Sequence, residues 1–305
     1  MGERVMRQIT TTTIVLGLGM MTAEYVHAAP ISTNTALPVA KGEYVFREQG
    51  VLNQSGDDAS EADRESSVVS SVTVVGYGVS PELAVFGVMP LVKKKLQLTT
   101  PGGQRITRSS SGLGDMRLFG RYTIFKQDLP GQTFRVAPFA GIELPTGDNT
   151  SSDQLGRLPA PLQPGSGSWD PFTGVIVTFQ TRQFELDFQA SYQANTQANN
   201  FEFGDVARFD ASMQYRIWPN ELTETTPGFL YGVTELNLIH SDNNRLNGTS
   251  DQNSGGTTLF GLLGLQYVTQ RSIIEAGIQI PIMQDLNGTA LERDYIIRGG
   301  YRVNF

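Results

Sequence analysis

The sequence has no cysteine, only two histidines among its 305 residues, and no long apolar run. The lack of cysteine excludes a disulfide framework, a thiolate metal site and a cysteine nucleophile. No stretch approaches the roughly 18 consecutive apolar residues that a membrane-spanning helix requires, so a helical membrane protein is excluded as well. A spanning β-barrel stays possible, because alternating strands leave a mild mean hydropathy such as the -0.20 of this chain.

The N-terminus has the three parts of a secretory signal peptide. Arg4 and Arg7 form the charged region, residues 14–21 (IVLGLGMM) form the apolar region, and Ala28 ends a small-residue cleavage signal. A buried N-terminal helix is the alternative, but the segment is short and rich in threonine. We therefore predict that residues 1–28 are a signal peptide and that the mature chain is exported.

Lysine is scarce, since 18 of the 23 basic residues are arginine, and the net charge is -7 at pH 7. An acidic exported chain is a poor ligand for nucleic acid, so no nucleic-acid partner is expected. Arginine pairs with carboxylates through two parallel hydrogen bonds and tolerates partial burial. Its preference within strands indicates charge ladders inside a lumen.

An apolar residue at every second position recurs along the chain. In residues 184–194 (FELDFQASYQA) the apolar positions alternate with Glu185, Asp187 and Gln189. A helix would scatter these charges around its surface, whereas a strand places them on one face. The same pattern predicts strands at 42–51, 66–79, 83–95, 114–126, 132–144, 170–181, 184–195, 205–218, 228–240, 256–269, 272–284 and 294–305, with the facing of the second and third undetermined.

Short turns and long polar loops alternate between these strands. The long loops fall at 52–65, 96–113, 145–169, 196–204, 241–255 and 285–293. Outer-membrane barrels have this layout, with short turns in the periplasm and long loops outside. We predict an all-β fold: a single closed antiparallel transmembrane β-barrel of about 12 strands in an up-and-down meander over residues 42–305, preceded by a short periplasmic segment over residues 29–41.

The chain ends in a strand, RDYIIRGGYRVNF, with one apolar face. In lipid every backbone group must be paired, so the last strand of a spanning sheet must join the first. A terminal phenylalanine after alternating aromatics resembles the recognition signal of outer-membrane barrel assembly. Tyr301, Val303 and Phe305 are therefore the predicted assembly signal, with outer-membrane lipid and the barrel-assembly machinery as partners. An edge strand of a soluble sandwich is the alternative, but a sandwich needs no long loops on one rim only.

If the apolar faces contact lipid, the charged faces line the lumen. Opposite charges then meet on neighbouring strands, either as a salt-bridge network that plugs a narrow barrel or as the lining of a selective pore. Neither use calls for a cofactor or a metal. The predicted pore-lining residues are Arg117, Arg121, Arg135, Glu143, Glu185, Asp187, Arg208, Asp210, Arg216, Glu235, Glu275, Arg298 and Arg302.

Catalysis is not predicted. His240 is the histidine left after export, and it is followed by Ser241 and Asp242. Adjacent residues on a strand point to opposite faces, so His240 and Ser241 are poorly placed for a nucleophile–base hydrogen bond. The loop at 145–169 contains four prolines, and it is either a constriction folded into the mouth or a disordered surface loop.

Three segments are similar to one family when taken together: residues 112–125 (GLGDMRLFGRYTIF), 139–148 (FAGIELPTGD) and 165–179 (GSGSWDPFTGVIVTF). They resemble the outer-membrane family named for the MetA pathway of phenol degradation, or SphA-like transporters. That family has a Gly-x-Gly-Asp strand start, a Pro-Thr-Gly strand end and a Gly-Ser-rich segment with an aspartate in this order. The likeness covers about residues 40–305.

The resemblance implies a Gram-negative outer-membrane barrel that moves small, often aromatic or hydrophobic, molecules across the membrane. We therefore expect a channel for passive uptake or efflux of a small-molecule solute. A non-conducting barrel with a structural, adhesion or sensing role through its loops is the alternative. Asp115 and Asp170 stand at matching strand rims and are predicted to anchor loops.

Overall fold

The computed structural model describes residues 28–219 and 226–305. The predicted signal peptide lies outside these residues, apart from Ala28. In the described residues no helix has the length and apolarity needed to cross a membrane.

The described residues form one large antiparallel sheet of 12 barrel strands in sequence order. The strands are β1 (Tyr44–Gly56), β2 (Glu65–Gly78), β3 (Leu83–Thr99), β4 in three segments (Arg105–Leu113, Met116–Tyr122 and Phe125–Leu129), β5 (Gln132–Leu144), β6 (Asp170–Thr181), β7 (Phe184–Gln193), β8 (Val206–Trp218), β9 (Phe229–Ser241), β10 (Gly256–Val268), β11 (Ser272–Leu286) and β12 (Glu292–Asn304). Short pieces lie in the loops at Ser152–Asp153, Gly156–Arg157, Ala160–Leu162, Phe201–Glu202, Arg245–Leu246 and Thr249–Ser250.

The sheet closes because the last strand pairs with the first. β12 runs antiparallel to β1 from Asn304 opposite Val45 to Glu292 opposite Gly56. The amide N–H of Tyr44 donates to the Phe305 carbonyl at 2.7 Å, and the Phe305 N–H donates back at 3.0 Å. This closure removes both edges of the sheet, so the predicted 12-strand up-and-down barrel is confirmed.

The long loop predicted at 96–113 is wrong. Residues 96–99 continue β3 and residues 105–113 form the first segment of β4, which leaves only a tight turn between them. Gly103 permits this turn because its φ is +78°, a left-handed backbone conformation that favours glycine. The serine-rich stretch before Gly112 masked the period of two.

The two rims of the barrel differ. The rim with short connections, such as 130–131 and 182–183, also holds the start of β1 and the end of β12, and we call it the turn rim. The opposite rim, with its long connections, is the loop rim. Aromatic pairs mark the turn rim: Tyr44 stacks on Phe305 with ring centroids 5.9 Å apart.

β2 and β3 have apolar residues on both faces. Val69 and Leu91 lie on the outer face and are about half exposed, while the alternating positions, such as Val72, Val74 and Val88, point inward. The alternation therefore carries no polar signal in these strands, which is why the sequence left their facing undetermined.

Gly141 of β5 gives space to two aromatic rings on neighbouring strands. A Cβ atom at this position would lie 2.4 Å from the Leu118 carbonyl oxygen, 2.4 Å from Phe119 Cβ and 2.7 Å from Phe172 Cζ. Cross-strand packing of an aromatic ring over a glycine is a recognised way to stabilise a sheet where glycine leaves a gap.

We expect Gly141→Ala to destabilise the barrel by about 1–3 kcal/mol, because the added methyl group overpacks the space that the rings fill. Urea unfolding of the refolded protein, followed by tryptophan fluorescence, measures the effect. The matched control is Gly50→Ala, where the nearest atom to the added Cβ is 3.8 Å away. Equal unfolding midpoints for the two variants would contradict the prediction.

Candidate functional site

The lumen has a polar wall made by the inward positions of β6 to β11. The inward side chains of these strands include carboxylates, amides and hydroxyls, and almost all of these polar groups are buried. Cross-strand neighbours include Glu185 opposite Gln214, and Gln189 opposite Asp210. The buried members are Thr178, Glu185, Asp187, Gln189, Asp210, Gln214, Glu235, Asn237, Gln266, Glu275 and Gln279.

Three of the predicted luminal carboxylates form ion pairs with arginine. Arg117 Nε donates to Glu143 Oε2 at 2.6 Å, and Arg208 Nε donates to Asp210 Oδ2 at 2.8 Å. Arg47 Nε donates to Glu275 Oε1 at 3.0 Å. These pairs join side chains that point into the barrel.

Other predicted arginines have different partners. Arg135 pairs at 3.2 Å with Asp128 near the turn rim, and Arg216 stacks over the Phe229 ring at 5.7 Å. Arg298 donates to Gln279 at 3.3 Å. The charged set is therefore spread over the height of the barrel and does not form one ring.

Residues 28–40 lie inside the barrel, and we call them the luminal segment. They cross the polar wall from β10 to β6. The Ala29 N–H donates to Gln266 Oε1 at 3.3 Å, the Ile31 N–H donates to Glu235 Oε1 at 2.6 Å, and the Thr35 hydroxyl donates to Glu185 Oε1 at 3.0 Å. The further contacts are Thr33 with Asp210, Asn34 with Gln189 and Ala36 with Thr178.

Arginine side chains also donate hydrogen bonds to the backbone of the luminal segment. Arg121 donates to the carbonyl oxygens of Thr35 and Leu37, the latter at 2.5 Å, and it is buried. Arg208 Nη2 donates to the Ser32 carbonyl at 3.1 Å. A chain without regular structure can lie in the lumen because polar side chains satisfy its backbone groups.

The sequence predicts that residues 29–41 form a short periplasmic segment. The structure places residues 29–40 in the lumen, and the segment reaches the turn rim at its end, where Ala40 and Lys41 lie beside Gly78. The reason is the polar wall, whose carboxylates and amides offer partners to an extended chain of small residues. No local pattern in residues 29–41 carries this information, because the partners in the polar wall are far away in sequence, 142 positions for Ala36 and Thr178.

A second wall is aromatic and lies on β3 to β6; we call its residues Phe86, Phe119, Phe139 and Phe172 the aromatic wall. Phe86 stands opposite Phe119, Phe119 opposite Gly141, and Gly141 opposite Phe172, so the register forms one row. Phe86 and Phe119 stack with centroids 4.8 Å apart. The Phe119 centroid lies 6.0 Å from that of Phe172, in an edge-to-face arrangement.

Two guanidinium groups cover the ends of the aromatic wall. Arg121 lies over the Phe86 ring at 5.0 Å, and Arg117 lies over the Phe172 ring at 5.5 Å. Ala36 of the luminal segment packs beside Phe139 in a small buried cluster. The luminal segment therefore contacts both walls, and hydrogen bonds and apolar contacts contribute on each side.

The aromatic wall was not predicted, although its signal is present in the sequence. Phe119 has the same parity as Arg117 and Arg121, which were assigned to the lumen, and Phe139 has the same parity as Arg135 and Glu143. The period of two assigns all of them to one face. The assumption that apolar residues face lipid removed the phenylalanines from the predicted lining.

Asp115 and Asp170, the predicted loop anchors, both hold backbone at the loop rim. Asp115 accepts hydrogen bonds from the N–H groups of Gly147 at 2.9 Å and Ser166 at 2.5 Å. Asp170 accepts from the Thr196 N–H at 2.7 Å. Each aspartate is buried and joins loop segments that are far apart in sequence.

The loop at 145–169 is ordered and packs against the long β3–β4 hairpin. Lys94 Nζ donates to the Gln163 carbonyl at 2.6 Å, and Arg108 pairs with Asp153 at 2.8 Å. Two leucines of the loop itself, Leu158 and Leu162, have buried side chains. Because Lys94 is on an inward position of β3, the loop lies over the mouth of the barrel.

A further clamp joins the β1–β2 loop to the β11–β12 loop. Arg64 donates to Asp58 through two parallel hydrogen bonds of 2.8 and 2.6 Å, and it also donates to the Thr289 carbonyl. The Asp58 side chain is inaccessible to solvent. The bound guanidinium of Arg64 holds the pKa of the Asp58 carboxyl well below its usual range.

The sequence profile of the family described as the putative MetA-pathway of phenol degradation matches residues 50–282, about three quarters of the chain. The chain belongs to this family. The resemblance predicted from residues 112–125, 139–148 and 165–179 is confirmed. No curated protein sequence matches the chain at a significant level.

Among solved structures, the fold is similar to an outer membrane channel from Pseudomonas putida F1. The TM-score is 0.68 at 11% identity, with 90% of this chain and 100% of the other covered. The NanC porin gives a TM-score of 0.47 at 13% identity, with 85% of this chain and 98% of the other covered. The CymD monoaromatic hydrocarbon channel gives a TM-score of 0.39 at 11% identity, with 87% of this chain and 89% of the other covered. The first likeness shows that this family member has the fold of an outer-membrane channel.

We expect Asp58→Asn to weaken the barrel at neutral pH, because the variant loses the charge that Arg64 binds. A carboxyl whose folded pKa is lowered contributes stability above its unfolded pKa of about 3.9, and this contribution fades as the pH falls towards the folded value. Urea unfolding midpoints of wild type and variant should therefore differ by a steady amount from pH 7 to about pH 5. The difference should shrink as the pH falls below about 4. A difference that stays constant below about pH 4 as well would contradict the role of the Asp58 charge.

Proposed function

We propose that this chain is a channel of the Gram-negative outer membrane, reached after signal-peptide export, for passive movement of small apolar or aromatic molecules. The observation that carries the proposal is the aromatic wall inside a closed barrel. Lipid contact is already provided by the outer face, so four inward phenylalanines have no role in membrane insertion. They give the lumen an apolar surface that a water-filled pore for polar solutes does not need.

The family supports the same class of solute. Its name refers to phenol degradation, and phenol is a small aromatic molecule. Flat rings bind other aromatic rings by stacked or edge-to-face contact, worth about 0.5–1.5 kcal/mol per pair beyond burial. Weak, repeated contacts of this kind suit a channel, because a solute must leave each position as easily as it enters.

The luminal segment sets how the channel opens. Its hydrogen bonds to Gln266, Glu235 and Glu185 fix it to the polar wall, and Ala36 rests beside Phe139. We propose that solutes move along the aromatic wall and that the segment limits their passage. Catalysis is not part of the proposal, since His240 is exposed and bonds to Thr257 on the next strand.

The second candidate is a non-conducting barrel that acts through its loops. The observation in its favour is the ordered loop rim, where Asp115, Asp170 and the Asp58–Arg64 clamp tie the loops together. A rigid rim suits recognition of a partner as well as control of a mouth. Uptake measurements separate the two candidates, because a non-conducting barrel leaves the outer membrane as tight as before.

The predicted assembly signal lies where a membrane-facing signal is accessible in the closed barrel. Tyr301 and Phe305 are exposed on the outer face, the latter beside Tyr44 at the turn rim. We propose that Tyr301, Val303 and Phe305 are read by the barrel-assembly machinery before β12 closes on β1.

We expect cells that express the protein to take up 1-N-phenylnaphthylamine, an apolar aromatic dye, faster than cells with an empty vector. Phe119→Leu combined with Phe172→Leu should slow this uptake about two- to tenfold, the loss of one or two ring contacts. Phe188→Leu, on the lipid-facing side, is the control and should have no effect. If cells with the wild-type protein took up the dye no faster than cells with the empty vector, the channel would be excluded and the second candidate favoured.

We expect replacement of residues 30–40 by a Gly-Ser linker of equal length to raise the single-channel conductance of the refolded mature protein in a planar bilayer. The linker keeps the length of the chain but removes the side chains that bond to the polar wall, such as those of Thr33 and Thr35. An unchanged conductance would show that the luminal segment does not limit passage.

A further inference from the structure

Arg302 is an inward residue near the turn rim whose guanidinium is left without a partner. It lies on β12 opposite Arg47 of β1 and Ile273 of β11. Among the residues that the structure describes, none forms a hydrogen bond or ion pair with it, and its Nε is shut off from solvent. A buried cationic donor without an acceptor is costly, so this position needs an explanation.

The carboxylates closest to Arg302 are already used. Glu275 accepts hydrogen bonds from Arg47 Nε at 3.0 Å, Gln49 Nε2 at 3.0 Å and Gln266 Nε2 at 2.9 Å. Glu185 accepts from the Thr35 hydroxyl at 3.0 Å and from a glutamine of β6. Arg47, the luminal segment and the neighbouring glutamines therefore occupy the carboxylate oxygens that would otherwise pair with Arg302.

Charges of both signs lie around the same place. Arg302 lies within electrostatic range of Arg47 and Arg121, with Glu275, Glu185 and Asp187 as the opposing charges. Two positions further along β12, and on the same face, Asn304 has a buried Oδ1 that also lacks a partner. Rotation of this amide by half a turn presents its NH₂ group instead, a donor directed to the same side of the strand.

We propose that Arg302, with Asn304, binds the carboxylate of a small organic anion at the turn-rim end of the lumen. The planar guanidinium fork matches a carboxylate through parallel charge-assisted hydrogen bonds. The organic part has an apolar surface nearby, since Arg121 lies over Phe86 and Phe86 stacks on Phe119. The inference rests on the proposed channel and adds small carboxylates to the solutes that its lumen accepts.

Sodium benzoate is the probe, because it combines a carboxylate with one ring. Isothermal titration of the refolded mature protein should show benzoate binding, and Arg302→Gln should weaken it about tenfold or more, the loss of a charge-assisted pair. Arg271→Gln removes the same charge from an exposed turn and should leave the affinity unchanged. Equal affinity of wild type and Arg302→Gln would overturn the proposal.

Crystals of the wild type soaked in 4-bromobenzoate give a test that needs no variant. An anomalous bromine peak in the lumen, with the carboxylate on Arg302, supports the site, and a peak elsewhere overturns it. Both measurements report binding and not passage. Failure of benzoate binding with normal uptake of the apolar dye would reject the carboxylate site alone, whereas loss of dye uptake would reject the channel.

Discussion

The pairing of β12 with β1 is the constraint on which the rest of the molecule depends. A sheet in lipid must satisfy all of its backbone groups, and closure is the way in which 12 antiparallel strands achieve this without an edge. Closure also fixes two faces for every strand. The outer face meets lipid, and the inner face is free to differ from strand to strand.

The inner face is divided into two walls, and the division gives the lumen its chemistry. Strands β6 to β11 contribute carboxylates and amides, while β3 to β6 contribute the four phenylalanines. A chain of small residues with a free backbone fits the first wall, because Glu185, Asp210 and Glu235 accept hydrogen bonds from its N–H and hydroxyl groups. The aromatic wall gives the lumen an apolar surface.

Charges at the loop rim act differently from those in the lumen. Asp115, Asp170 and Asp58 each accept several hydrogen bonds from loop backbone or from arginine, so they fix the shape of the mouth. In the lumen, the glutamates bind the luminal segment and Arg47. One consequence is that the Arg302 guanidinium near the turn rim is left without a carboxylate partner.

Much of the fold could be predicted from sequence because alternation is a local property. The strands at 132–144 and 170–181 coincide with the observed β5 and β6. Parts of both, such as Phe134 to Val136 and Thr178 to Gln180, alternate between polar and apolar residues. The strand at 105–113 was not predicted, because its run of serines has no apolar side. The facing of β2 and β3 was not decided for the opposite reason, since valine occupies both faces.

The barrel, its strand order and the family can be inferred from the sequence alone. They follow from a period of two and from segments that are contiguous in the chain. The position of residues 28–40 in the lumen and the unpartnered guanidinium of Arg302 emerge only when the barrel is closed. Such outcomes depend on which side chains meet across the closed barrel, and residues such as Ala29 and Gln266 are 237 positions apart. No local pattern records a contact over that distance.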